Sequence, residues 1–360
     1  MTATPPAEAD ALAIARSPLS GLVNRRSAVL IGGILIAFVG VPLIGNDYWL
    51  NSIIIPTVAM GLAGVGLNLL MGYTGLVSLG SAAFMALGAF ATYNLLLRVP
   101  ALPLPVVLLL SGLIAAAFGA FFGLPSLRIR GFYLAASTLG AQFFFQWLFT
   151  NFKWFSNDTL TLTISAPRLE FLGWDLSSPT GRYLLVAATT ALLLWLAHNI
   201  VTGRIGRDWM AIRDMNTAAA VIGTRVATRQ LLAYAVSSFY CGIAGALYAF
   251  GYLGTADGYT FNLDKSFQVL FIVLIGGSAS LFGNFLGAAF IILTPILLDV
   301  LTSTFGLSDY LDQALLANAQ RIIFGVLIIL LLIKEPDGLA RLLKQLTHKI
   351  SRLKLTTSRN

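Results

Sequence analysis

Residues 104–123 read LPVVLLLSGLIAAAFGAFFG, a run with no charged side chain and a single hydroxyl, at Ser111. At 1.5 Å of rise per residue, a helix of about twenty residues is about 30 Å long, the thickness of a bilayer's hydrocarbon layer. In hydrocarbon the backbone has no water to bond, so an unbroken apolar run of this length closes its hydrogen bonds as a helix. Further apolar runs lie at 28–44, 51–71, 82–97, 132–152, 183–202, 231–252, 267–277, 285–301 and 321–333. Several are short, and 267–277 has the length of a half-helix or re-entrant segment. The expected fold is an all-α polytopic integral membrane protein with about ten (eight to ten) transmembrane helices.

Composition supports this reading. The chain has 360 residues, 57% apolar and 11% charged, and a mean hydropathy of +0.83. Soluble domains carry roughly 25% charged residues. With 23 Lys and Arg and 15 Asp and Glu, the chain cannot cover a 38.5 kDa globule with charge. The net charge of +8 does not point to nucleic acid, because most basic residues sit in short loops and a tail between apolar runs. With ten crossings and an inner N-terminus, 17 basic residues fall on the inner side and 6 on the outer side. That is the bias of a chain with both termini cytoplasmic.

The map then has a cytoplasmic N-terminal segment at 1–27, a membrane domain at 28–333 and a basic cytoplasmic tail at 334–360. The run at 28–44 reads as an uncleaved first helix, because no small-x-small cleavage site follows it. In the tail, Leu339, Leu342, Leu343, Leu346, Ile350 and Leu353 have helical spacing with basic residues between them. This is expected of an amphipathic helix resting on membrane lipid. An outer loop at 153–182 is long enough to fold locally.

The inner loop 203–230 is the most informative polar stretch. Asp208 suits a helix N-cap and Gly223 the position just past a helix end, bounding about fourteen residues. Trp209, Ile212, Ala219 and Ile222 supply apolar positions, and Arg207, Arg213 and Asp214 supply charge. Such a helix is either a lever on which another protein pushes or an ordinary interfacial loop helix.

Polar residues inside the runs must find partners or line a wet cavity. Asn68, Thr138, Gln142 and Gln146 are the candidate pathway residues, with glue between helices as the other reading. Gly61, Gly64 and Gly66 only superficially resemble a dinucleotide fingerprint, since they lie inside an apolar run with no preceding strand. Gly119 with Gly123, and Gly283 with Gly287, have the spacing of close helix contacts. A Ser-Leu then Gly-Ala pattern recurs faintly at Ser78-Leu79 with Gly88-Ala89 and at Ser280-Leu281 with Gly287-Ala288.

No GxxxxGK[ST] phosphate loop or HExxH occurs, and the one cysteine (Cys241) and two histidines (His198, His348) are scattered. No catalytic residue, metal site or cofactor is expected, and this chain should not hydrolyse ATP itself. The scarcity of ionisable residues inside the runs argues against the competing reading, a stand-alone secondary transporter or channel for a small polar solute.

Several blocks together resemble the permease family of ABC importers for branched-chain amino acids and urea, and within it the LivM-type subunit. They are Gly72-Tyr73-Thr74-Gly75-Leu76-Val77-Ser78-Leu79-Gly80, Arg130-Gly131-Phe132-Tyr133, and Gly206-Arg207 through Arg213-Asp214 to Gly223. Ala244-Gly245-Ala246-Leu247-Tyr248, Leu281-Phe282-Gly283 and Glu335-Pro336-Asp337-Gly338 complete the set. The resemblance covers residues 28–340. It implies a bacterial inner-membrane permease working with a second, LivH-like permease, two cytoplasmic ATPase subunits and a periplasmic solute-binding protein. The inner loop then becomes the ATPase coupling site, formed by Arg207, Asp208, Trp209, Ile212, Arg213, Asp214, Ala219 and Gly223. The family often has a Gly-rich stretch where this chain has Trp154-Phe155-Ser156-Asn157-Asp158. The solute is therefore open among branched-chain amino acids, urea, short amides and aromatic compounds.

Overall fold

Helix α1 spans Asp47–Thr74 and is largely buried. Pro56 lacks an N–H, and just before it the chain widens into a π turn at Leu50–Ile54, where the Ile55 amide bonds back to Leu50. Next come α2 (Ser81–Arg98), α3 (Leu104–Ser126) and α4 (Phe132–Asn151). Helix α5 (Pro179–Thr202) leads into two short helices, α6 (Arg204–Asp214) and α7 (Asn216–Val221). Helix α8 (Val226–Leu253), which ends in a π turn, α9 (Leu263–Gly276), α10 (Gly283–Thr304) and α11 (Gln313–Lys334) follow. This computed structural model describes residues 46–341 apart from 127–131, 160, 166–169, 172–173, 176–177, 305–312 and 335–337. The expected N-terminal segment, the first run at 28–44 and most of the basic tail lie outside the described residues.

Among the described residues, α1, α3, α5, α8 and α10 are long and apolar enough to cross a membrane. Large apolar side chains such as Phe121, Trp147, Trp195, Leu297 and Ile329 are exposed on the helical surface. Large apolar side chains exposed in this number belong against lipid or a partner subunit. Helix α9 has 14 residues, from the Asn262 cap to Gly277 at φ 104°. Its length of about 21 Å falls short of the hydrocarbon layer, as expected of a half-helix.

Helix α8 is the hub, packing along α1, α2 and α3. Small residues set the closeness of these contacts. A Cβ at Gly88 would collide with the Gly242 carbonyl, and one at Gly245 with the Met85 carbonyl. Both expected GxxxG pairs lie at such contacts. Gly119 and Gly123 face Ser238 and Tyr234, while Gly283 and Gly287 face the Gly276 and Ile272 carbonyls. Gly61 and Gly64 likewise receive the Phe285 ring and Ile272 inside α1, so their use is helix packing.

The loop after α4 does fold locally. Strand β1 (Ile164–Ser165) pairs antiparallel with β4 (Thr255–Ala256), which follows α8, and β2 (Glu170–Phe171) pairs with β3 (Trp174–Asp175). The faint sequence repeat falls on two comparable places, the loops that enter α2 and α10. In both, a serine hydroxyl accepts a backbone N–H: Ser78 from Gly80 and Ser280 from Gly283.

Candidate coupling site

The segment between α5 and α8 is not one helix. Helix α6 begins four residues before Asp208, with Gly203 as its N-cap, and ends where Met215 turns extended (φ −156°, ψ 97°). This corrects the expectation of a single helix capped by Asp208. Asn216 and Thr217, whose side chains compete for backbone hydrogen bonds in a helix interior, follow the break and open α7. Gly223 does lie just past the end of α7, at φ 91°.

The side chains of α6 and α7 divide into a root and a tip. Trp209, Ile212 and Ala219 are buried. The Trp209 indole N–H donates to the Arg229 carbonyl at 2.9 Å, and the Asp208 carboxylate meets the Arg229 guanidinium at 2.8 Å. Arg213 donates to the Gly72 carbonyl at 2.9 Å and pairs with Asp214 at 3.0 Å. A cation at the last carbonyls of α1 is favourably placed against the helix dipole. Gly75, at φ 73°, leaves room for the Arg213 stem. Arg207, Asp214 and Gly223 are exposed. So are Met215 (62%), Val221 (87%) and Ile222 (75%), an apolar tip projecting from a base anchored on α1 and α8.

Three of the candidate pathway residues, Asn68, Thr138 and Gln142, are engaged internally. Asn68 donates to the Ser280 carbonyl and to the Asn284 side chain, and accepts from the Ala279 amide. The Thr138 hydroxyl accepts from the Leu79 amide and donates to the Ala135 carbonyl, both at 2.9 Å. Gln142 accepts from the Ala83 amide at 2.8 Å and from the Ser266 hydroxyl at 2.9 Å, and donates to the Phe261 carbonyl at 2.7 Å. The first N–H groups of a helix lack partners within it. Since Gly80 offers no side-chain cap to α2, Gln142 and Ser266 supply the missing acceptors, Ser266 taking the Ala82 amide. Gln146 lies one turn along α4 from Gln142 and is half-buried.

Residues 49–332 match the family described as branched-chain amino acid transport system / permease component. The chain belongs to that family. It is 30% identical over 300 residues to the high-affinity branched-chain amino acid transport system permease protein LivM of Escherichia coli (strain K12), covering 77% of this chain and 67% of the relative. It is 23% identical over 324 residues to a probable branched-chain amino acid transport permease protein LivM of Methanocaldococcus jannaschii, covering 84% and 86%. The autoinducer 2 import system permease protein LsrC of Enterobacter sp. (strain 638) is 30% identical over 195 residues, covering 52% and 54%. No solved structure matches the chain. These relatives are transporter permease subunits rather than enzymes.

In this permease the structure gathers the eight inner-loop residues into one segment but gives them unlike surroundings. Trp209, Ile212 and Ala219 face the body, while Met215 and Val221, absent from the expected set, face outward. The two apolar faces of the segment were in the sequence, but the break at Met215 that separates them was not. Arg229 was missed as the partner of Asp208 because it lies twenty-one positions on, across a turn. Thr138 and Gln142 meet at the entry to α2, whereas Asn68 is bound at the loop that enters α10.

Proposed function

We propose that this permease is one half of the translocation pathway of an ABC importer in a bacterial inner membrane. A second, LivH-like permease supplies the other half, two cytoplasmic ATPases supply the power stroke, and a periplasmic solute-binding protein delivers the solute. The chain crosses the membrane about ten times with both termini cytoplasmic, and carries branched-chain or related amino acids. Relatives named for branched-chain amino acids and for autoinducer 2 share the family, so the solute follows the binding protein as much as the permease.

The observation that carries the reading is the exposed Met215–Val221–Ile222 tip on a fixed root. An apolar tip fits an apolar groove in a partner, where a few buried side chains supply most of the binding energy. The root transmits what the tip receives. Arg213 holds the end of α1 through Gly72, and Asp208 and Trp209 hold the start of α8 through Arg229. Movement of the ATPases then shifts α1 and α8. Asn68, Thr138 and Gln142 serve as ties that keep α2, α9 and α10 in register during that shift, and Gln146 is the remaining candidate for contact with solute.

Val221→Asp combined with Ile222→Asp tests this. Both sites are open to solvent, so the variant is expected to insert and fold normally, while uptake falls by about tenfold or more as the ATPases detach. Undiminished uptake by the double variant would overturn the coupling assignment.

A further inference from the structure

The first turns of the straight part of α1, the end of α8, the start of α9 and the middle of α10 line a partly open cavity of about 150 Å³. Pro56, Met60 and Ile291 give it apolar walls, and Tyr248, Lys265 and Gln268 give it a polar end. The Lys265 ammonium donates to the Tyr248 hydroxyl and to the Gln268 side-chain oxygen, each at 3.0 Å. Both acceptors are neutral. Among the described residues no carboxylate pairs with Lys265. Its neighbour Asp264 is exposed and is hydrogen-bonded by Asn262.

An ammonium has three donors, and a sheltered cation gains most from an anion that completes its shell. Two neutral acceptors hold this ammonium beside the cavity without neutralising it. A partly open space of this size suits a single small solute and excludes a peptide. We propose that the cavity binds the carboxylate of a small amphiphilic amino acid, with Lys265 as its counter-ion and Pro56, Met60 and Ile291 against its apolar side chain. The choice of an amino acid as occupant rests on the import reading above. The same anionic chemistry could come from a lipid headgroup, which the experiment separates from a solute.

The tagged full chain is purified in detergent, and its melting is followed with leucine, with leucinol (which lacks the carboxylate) or with phosphatidylglycerol. Leucine is expected to raise the Tm and leucinol to leave it unchanged. Lys265→Met should weaken the apparent affinity for leucine about tenfold or more, and Lys265→Arg much less, since charge-assisted hydrogen bonds are the strong ones. Tyr248→Phe, which keeps the charge and the cavity, should weaken it by a smaller factor and provides the test if Lys265→Met does not fold. Equal shifts with leucine and leucinol, no shift with leucine, or a shift that survives Lys265→Met would each overturn the proposal. A shift with phosphatidylglycerol alone would assign the cavity to lipid and overturn the solute. None of these readings uses the ATPases, so failure of the importer reading, seen as absence of partner subunits, is scored separately.

Discussion

The Asp208 carboxylate and the Arg229 guanidinium meet at 2.8 Å, and the indole of the next residue, Trp209, donates to the backbone carbonyl of the same arginine. Residue 229 thus grips α6 through its side chain and its main chain together. This double grip makes the segment formed by α6 and α7 an extension of α8 rather than a loose loop.

Breaking the pair should loosen the segment without removing the docking tip. The two side chains are 30% and 22% exposed, between a solvated pair and a buried one. Asp208→Ala and Arg229→Ala are each expected to cost about 1–2 kcal/mol and to lower uptake while ATP hydrolysis continues. The exchange Asp208→Arg with Arg229→Asp should recover part of both losses. Thermal unfolding of the purified chain and uptake in cells measure the two effects.

The seam between α2 and α8 has no slack at Gly88, where a Cβ would meet the Gly242 carbonyl. Gly88→Val is expected to force the helices apart, at a cost of about 3 kcal/mol or more. The measurement is the yield of monodisperse chain after solubilisation, which should fall sharply. Gly140, beside open space on α4, is the control, and Gly140→Ala should leave the yield unchanged.

Gln142 joins the start of α2 to α9 and to the Phe261 carbonyl. Gln142→Leu keeps the volume but strands the Phe261 carbonyl, worth about 1–3 kcal/mol when buried without a partner, and leaves the Ala83 amide only the Gly80 carbonyl at 3.1 Å. The expected result is a markedly lower Tm. Ala83 lies at the entry to α2 and Ser266 on α9, so uptake should fall with it. A Tm equal to wild type would remove Gln142 from the structural ties.

The membrane class was legible because a run such as 104–123 admits one conformation in hydrocarbon, and both GxxxG pairs were legible because small residues at that spacing have one economical use. The short α9 was legible in the brevity of 267–277. The inner segment was only half legible. Its apolar positions stand in the sequence, but which of them face the body depends on Arg229 and Gly72, partners far along the chain that no local pattern reveals. For the same reason Asn68, Thr138 and Gln142 could be read as glue or as pathway, and their partners are backbone groups of the loops entering α2 and α10 and of the segment before α9. Lys265 is one of the six basic residues that the sequence places on the outer side, and only the folded chain sets it beside Tyr248 and Gln268.

The proposal that this permease works as one subunit of an ATP-driven importer is tested by tagging the chain at its C-terminus, solubilising native membranes gently and identifying what co-purifies. Two ATPase subunits and a second permease are the expected companions. Recovery of the chain alone, still transporting after reconstitution into liposomes, would contradict the claim and establish a secondary carrier instead.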